Sequence, residues 1–207
     1  MMAQTDTAGG MASSTRSGAG VGVWIFRVLL VAGAAFMVYT WFQPWWSADI
    51  AVIKGENDMV LRPWGVEAVS QVRNNTDTAQ FDMPGFFAPL MWVYLGVCML
   101  ALAASLFINR RFKIGPISLP IAVILIALVG LSYMSALGIA YGLGTLRSGW
   151  AGANFIGKSQ ILQPETGTKI KMVSDLQIGF WLSLGAGGFL TFLALVRGLF
   201  VRKPKQA

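Results

Sequence analysis

Four stretches of this chain are long and apolar enough to cross a lipid bilayer as helices, and they constrain the fold more than any other feature. A hydrocarbon core of about 30 Å requires about 20 helical residues. We assign the spans to residues 21–42, 86–108, 117–143 and 176–201. Up to residue 196 the only charged residue within them is Arg27, whose long side chain can reach the headgroups from the first helix.

The composition agrees with this assignment. Hydrophobic residues make up 55% of the 207 residues and charged residues only 12%, whereas ordinary soluble domains are about 25% charged. Such a chain has too few polar groups to cover a water-facing surface. The sequence therefore predicts an all-α membrane protein, a four-transmembrane-helix bundle within residues 21–201.

The distribution of charge predicts the orientation. The N-terminal segment, the start of the first helix, the loop between the second and third spans and the C-terminal tail together hold nine basic residues and one acidic residue. The two remaining loops, 43–85 and 144–175, hold seven basic and eight acidic residues. By the positive-inside rule, both termini are cytoplasmic and these two loops lie outside. We expect an integral protein of a bacterial inner (plasma) membrane, and we interpret the net charge of +7 as a topology signal rather than a sign of nucleic-acid binding.

The two ends of the chain differ from the apolar part. Residues 1–20 are mostly small and polar, so we expect a disordered cytoplasmic N-terminus. Residues 202–207 form a basic cytoplasmic tail.

Each outer loop contains a strand–turn–strand pattern. In the first loop, residues 49–54 and 59–62 flank a turn, and in the second loop residues 160–163 and 168–173 flank another. Because isolated hairpins are marginal in water, we expect both loops to join in a sheet of three or four strands that rests on the helix ends. The predicted architecture thus includes a small extracytoplasmic β-hairpin cap.

Aromatic residues concentrate at the level of this cap. An aromatic belt at the headgroups together with packing beneath the cap explains them. A partner-docking surface is the alternative, because tryptophan is enriched at interface hot spots. The candidate partner-binding residues are Trp41, Trp45, Trp46, Trp64 and Trp150.

Small residues recur along the last two spans at helical spacing. Gly179, Ser183, Gly187 and Thr191 follow one another four positions apart, and Gly138 and Gly142 do so in the third span. Such stripes allow helix backbones to approach closely, so we predict helix-packing roles for these residues. A stripe left over after the bundle closes would be available to a partner's helix.

The residues that usually carry catalysis or metal binding are scarce. The chain has no histidine, and its one cysteine, Cys98, lies within an apolar span. We therefore predict no catalytic site, no metal site and no cofactor, and we expect that the protein is not an enzyme.

The overall plan, with a larger first outer loop and a short basic middle loop, is similar in topology to claudin-like tetraspan proteins. The first outer loop of that family carries paired cysteines, for which this chain has no counterpart, so the resemblance covers the architecture alone. Our leading hypothesis is a non-catalytic structural or accessory subunit of a multi-subunit membrane complex, whose partners are other integral membrane subunits and the lipid bilayer. A small channel or uncoupled transporter, formed as a homo-oligomer, is the alternative, and an adhesion or sensing protein is a third possibility.

Overall fold

The computed structural model describes residues 20–50, 58–68, 83–108, 110–114, 117–150, 152–162 and 167–200. The predicted tail and nearly all of the predicted disordered N-terminus lie outside these residues. The described part is mostly helical, with the helices α1 (Val21–Trp41), α2 (Phe87–Phe107), α3 (Ile121–Trp150) and α4 (Ile178–Phe200). Each of the four is long and apolar enough to cross a membrane, as the sequence predicted.

Helix α4 makes the most extensive helix–helix contacts in the bundle. It packs against α3 on one side and α1 on the other, while α2 packs mainly against α3. Large apolar side chains fill the interior between these helices, among them Leu30, Met37, Leu137 and Leu190, which are almost completely buried. Many other large apolar side chains on the same helices point outward and are exposed, including Leu195 at 76%. Such an apolar exterior suits a lipid environment.

A five-stranded antiparallel sheet covers one end of the bundle. Its strands are β1 (Trp46–Ile50), β2 (Met59–Arg62) and β3 (Gly65–Ala68) from the first loop, and β6 (Gly157–Leu162) and β7 (Lys169–Leu176) from the second. They are arranged in the order β3-β2-β1-β7-β6. Strands β1 and β7 pair with each other, so the sheet joins the two loops, and Trp46 lies opposite Leu176. We call this end of the molecule the sheet end.

One face of the sheet is apolar and forms a second core. Along β7 the buried residues Ile170, Met172 and Ser174 alternate with exposed ones, which is the pattern of a strand with one buried face. Ile170 and Met172 cluster with Trp46, Met59 and further apolar residues from both loops. The small antiparallel sheet predicted from the sequence is therefore confirmed.

The sheet is larger than the sequence predicted, with five strands instead of three or four. Strand β3 was not predicted, although it pairs with β2 along its whole length. Strand β1 begins at Trp46 rather than at Asp49. Of the predicted turns at residues 55–58 and 164–167, only Asp58 and Gly167 are among the described residues. The carboxylate of Asp58, the last residue of the first predicted turn, is buried and accepts a hydrogen bond of 2.8 Å from the backbone N–H of Ile50.

The opposite end of the bundle carries a structure that the sequence did not predict. Strands β4 (Arg111–Ile114) and β5 (Ile117–Pro120) pair as an antiparallel hairpin between α2 and α3. The first four residues of the predicted third span are therefore extended, and α3 begins at Ile121. The helix then continues to Trp150, seven residues beyond the predicted end of the span. We call this end of the molecule the hairpin end.

Candidate functional site

Three of the five candidate partner-binding tryptophans lie inside the chain. Trp41, Trp45 and Trp46 are at most 4% exposed and belong to the two cores. Their burial within a single chain removes them from the surface that a partner could reach. Trp64 is half-buried, and Trp150, at the end of α3, is 84% exposed.

Trp45 anchors the start of the sheet to the bundle through a buried polar network. Its indole Nε1 donates a hydrogen bond of 3.1 Å to the hydroxyl of Ser183 on α4. The hydroxyl of Tyr133 on α3 lies 3.2 Å from the same oxygen, and the Thr40 hydroxyl at the end of α1 lies 3.1 Å from that of Tyr133. One network therefore links three helices to the strand that follows Trp45.

Trp41 occupies the aromatic centre of the sheet end. Its ring stacks on Tyr133 at 6.3 Å between centroids and contacts the edges of Trp45 and Trp92. Its Nε1 atom is buried and has no hydrogen-bond partner among the described residues. Trp41 thus contributes mainly through the packing of its ring.

Trp46 attaches the sheet to α3. Its ring stacks on Phe155 with 5.4 Å between centroids, and its Nε1 donates a hydrogen bond of 2.6 Å to the Phe155 carbonyl. Phe155 in turn lies so close to Gly144 on α3 that a side chain at position 144 would collide with the ring. A glycine at this position lets the second core sit directly on the helix.

An aromatic patch forms part of the surface at the sheet end. We define the patch as Phe42, Trp64 and Trp92. The rings of Trp64 and Trp92 stack at 5.4 Å, and Phe42 contacts both at 5.8 and 5.9 Å. Trp92 is 43% exposed although it was not among the candidate residues. In the sequence, only the position of Trp92 near the start of the second span indicated that it lies at this end of the molecule.

Arg62 lies beside this patch at the end of β2. Its guanidinium carbon is 5.7 Å from the centroid of the Trp64 ring, and its Nε lies 3.0 Å from a carboxylate oxygen of Glu67. It also donates a hydrogen bond to the backbone carbonyl of Phe42. These contacts hold the guanidinium group at a fixed position between the sheet and the bundle.

Arg62 lines an apolar cavity of about 260 Å³ between α2, α3 and the sheet, which we call the α2–α3 cleft. A second arginine, Arg147 in the last turn of α3, lines it too, and its Nη1 lies 3.9 Å from the sulfur of Met83. The remaining lining residues are all uncharged: Trp45, Leu61, Pro63, Met83, Phe87, Met91, Ala136, Ile139, Ala140, Leu143 and Gly144. Although two arginines are among its lining residues, the surface of the cleft is almost entirely apolar.

A smaller hollow of about 50 Å³ extends this cleft beneath the sheet. The two share Leu61, Met83, Gly144 and Arg147 as lining residues, and the hollow ends against Trp46 and Phe155. Nothing in the sequence could have identified the cleft, because its walls come from four separate segments. Each of those segments looks like ordinary core or interface on its own.

The stripe of small residues on α4 lies against other parts of the same chain. A side chain at Gly179 would collide with the backbone of the Gln43–Pro44 segment, and one at Gly187 would approach Met134 and the carbonyl of Gly130 on α3. Ser183 is buried in the polar network described above. Thr191 lies against Gly130, where α3 and α4 cross most closely. Gly130 was not among the predicted packing residues.

Unlike the small residues of α4, the two predicted packing glycines of α3 do not lie against other described parts of the chain. An added Cβ atom at Gly138 or Gly142 would meet no other described atom within 4 Å. Gly138 is exposed, and so are Leu131 and Ser135 on the same helix. This face of α3 is therefore not used in packing the described bundle.

The described residues offer no metal centre. No group of three or more His, Cys, Asp or Glu side chains lies close enough together to hold a metal ion in the part of the chain that the structure describes. Cys98 is buried in α2 and belongs to the main core. That the protein is not an enzyme and takes no cofactor stays a prediction. No protein-family model matches the chain, and no curated protein matches it significantly.

Proposed function

We propose that this chain is a non-catalytic subunit of a larger membrane complex. In this proposal the four helices span the bilayer, both termini are cytoplasmic, and the sheet end faces outward. A partner's transmembrane helix packs on the face of α3 that carries Gly138 and Gly142. Beyond the membrane, the exposed Trp150 and the aromatic patch provide further contact area.

The observation that carries this proposal is the contrast between two kinds of glycine. A Cβ atom added at Gly130 or Gly187 would collide with other residues of the chain, whereas one added at Gly138 or Gly142 would meet no other described atom within 4 Å. Because lipid tails solvate apolar side chains well, association of membrane helices depends on close backbone approach at small residues. Two open glycines four positions apart form a smooth helix surface, which such a close approach requires.

The packed interior favours this function over the channel alternative. Trp41, Tyr133 and Leu137 are at most 1% exposed and belong to the packed interior of the described bundle. A pore would therefore have to run between several copies of the chain. Ion or solute flux through liposomes that contain only this protein would support the channel.

The proposal is tested by purifying the full-length protein in mild detergent from the membranes of its source organism. We expect a partner protein to co-purify at a fixed stoichiometry. The double substitution Gly138→Leu and Gly142→Leu should remove that partner and leave the fold intact, because neither position is packed. Gly185→Leu is the matched control, since Gly185 on α4 is also exposed and open.

A strictly monomeric particle with no co-purifying protein would refute the proposal. Equal recovery of the partner with the double variant and with the control would show that the α3 face is not the contact. Circular dichroism and size-exclusion chromatography of the variants establish that each of them is folded.

A further inference from the structure

We propose that a groove between α1 and α2 at the hairpin end, which we call the α1–α2 groove, binds an anionic phospholipid of that leaflet. Arg27 meets the phosphate of the headgroup, and one acyl chain lies along the apolar walls. This inference rests on the membrane location in the proposed function, but it does not require a partner protein.

The α1–α2 groove has a volume of about 360 Å³ and largely apolar walls. It remains open because α2 packs mainly against α3 and makes little contact with α1. Apolar cavities of about 150 Å³ in proteins already admit benzene, so the groove accommodates part of an acyl chain. Apart from Arg27, the lining residues are all apolar: Trp24, Val28 and Val31 from α1, and Leu106 and Phe107 from α2.

The groove opens on the outer surface of the bundle. Trp24, Val28 and Val31 recur three or four positions apart, so they lie on one face of α1 together with Arg27. Each of the three is more than half exposed, and Phe107 on the opposite wall is 80% exposed. A lipid chain can therefore enter the groove sideways from the surrounding bilayer.

Arg27 is a cation that the described part of the chain does not neutralise. Among the described residues, no acidic side chain or hydrogen-bond acceptor lies within bonding distance of its guanidinium group. A counter-charge therefore has to come from outside the described fold. The acidic residues that the structure describes all lie at the sheet end, at the other end of the bundle: Asp49, Asp58, Glu67 and Asp175.

The depth of Arg27 places this cation near lipid phosphates. Helix α1 has 21 residues, so it is about 32 Å long, close to a hydrocarbon core of about 30 Å. Arg27 follows the first residue of α1 by about 9 Å along the axis, and a charge at that depth is costly unless it is paired. Because helical side chains tilt toward the N-terminus, the guanidinium group is directed back toward the headgroups of the leaflet at the hairpin end.

The chemistry of the groove favours an anionic headgroup. A guanidinium group has five N–H donors in a planar array that suits phosphate oxygens, and basic pockets between membrane helices are typical sites for anionic lipids. In phosphatidylcholine the choline cation partly neutralises the phosphate, whereas phosphatidylglycerol has no such cation. The exposed Trp24 ring beside Arg27 suits the same level, because tryptophan favours the membrane–water interface.

The test uses the full-length protein in phosphatidylcholine nanodiscs that contain a minor fraction of phosphatidylglycerol with a photoactivatable acyl chain. After illumination, mass spectrometry identifies the labelled residues. We expect the labels to concentrate within residues 24–31 and 106–107. A phosphatidylcholine probe with the same acyl chain should label these residues about fivefold less, because a basic group near the membrane surface contributes about that factor.

Substitutions of arginine test the charge. Arg27→Gln should lower labelling of the groove by the phosphatidylglycerol probe to the level of the phosphatidylcholine probe, whereas Arg27→Lys should keep most of the preference. Arg110→Gln is the charge-matched control, since Arg110 is exposed at the same end of the molecule and does not line the groove. This control should leave the preference at the groove unchanged.

A second pair of variants tests the apolar wall. Val28→Trp should lower labelling of the groove by both probes, because the larger side chain occupies part of the groove. Val97→Trp is its control, since Val97 on α2 is also exposed but does not line the groove. Circular dichroism establishes that both variants are folded.

Equal labelling of the groove by the two probes in the wild-type protein would overturn the proposal. Equal losses in Arg27→Gln and Arg110→Gln would also overturn it, because they would show diffuse attraction by surface charge. The same holds for unchanged labelling in folded Val28→Trp. A chain that fails to enter nanodiscs would instead contradict the membrane location, and groove labelling in a protein that co-purifies with no partner would support the lipid site and refute only the subunit role.

Discussion

The contacts of Ser183 could not be predicted from its position in the sequence. On the sequence it is one member of a small-residue stripe, yet its hydroxyl accepts a hydrogen bond from Trp45 and lies within hydrogen-bond distance of Tyr133. Those partners are 138 and 50 positions away along the chain. Spacing within one helix therefore predicts that Ser183 is small and buried, but it cannot predict which groups Ser183 binds.

We expect Ser183→Ala to destabilise the protein by about 1 kcal/mol, because the buried Trp45 Nε1 would lose its acceptor. Ser135→Ala is the control, since Ser135 is exposed on α3. Denaturant unfolding in detergent, followed by tryptophan fluorescence, measures both variants. Equal stabilities for the two variants would show that the network contributes nothing measurable.

At the scale of the element, the four helices were predictable, and only α3 begins and ends more than two residues from the predicted bounds. Hydrophobicity alone locates the four apolar segments, but α3 continues to Trp150 because residues 144–150 have no helix-breaking proline and pack against the second core through Gly144. The start of α3 was misplaced because Ile117–Pro120 is as apolar as a helix. It forms β5 only by pairing with Arg111–Ile114. Pairing of that kind is a tertiary preference that outweighs local hydropathy.

The crossing of α3 and α4 gives a prediction at this scale. A Cβ atom at Gly130 would lie 2.7 Å from the Gly187 carbonyl oxygen and 2.8 Å from the Thr191 backbone nitrogen, so Gly130→Ala must push the two helices apart. We expect a loss of about 1–3 kcal/mol, as for other overpacked sites. Gly138→Ala should instead be neutral or stabilise by up to about 1 kcal/mol, because alanine favours the helix and the site is open.

Thermal unfolding of both alanine variants in the same detergent checks this pair. Each substitution adds one methyl group to α3, so the comparison isolates packing from helix propensity. The interpretation of the crossing would be wrong if Gly130→Ala were as stable as Gly138→Ala.

At the scale of the whole molecule, the even number of long helices places both ends of the described chain at the same end of the bundle. The described chain ends, residues 20 and 200, lie at the hairpin end, since α1 leads into the sheet and α4 leads away from it. Arg27, Arg110 and Arg197 also lie toward that end. The charge asymmetry in the sequence and the division of the fold into two ends are therefore consistent with each other.

Cysteine labelling in intact cells tests this sidedness. In a Cys98→Ser background, we expect Lys158→Cys on β6 to react with a membrane-impermeable maleimide from outside. Arg110→Cys, at the hairpin end, should react only after the cells are permeabilised. Both residues are exposed, so accessibility within the fold does not differ between them. Labelling of both cysteines from the same side would contradict the proposed arrangement.

The pairing of β1 with β7 also has a consequence for biosynthesis. Trp46 and Leu176 face each other although they are 130 positions apart, with α2 and α3 between them. At translation rates of about 5–20 residues per second, β1 leaves the ribosome roughly 6–26 s before its neighbour exists. During that interval one edge of β1 has unpaired backbone groups, a situation that invites pairing with other chains. Completion of the sheet is therefore a late event in synthesis, which requires that the last strand has been made and that the two loops have met.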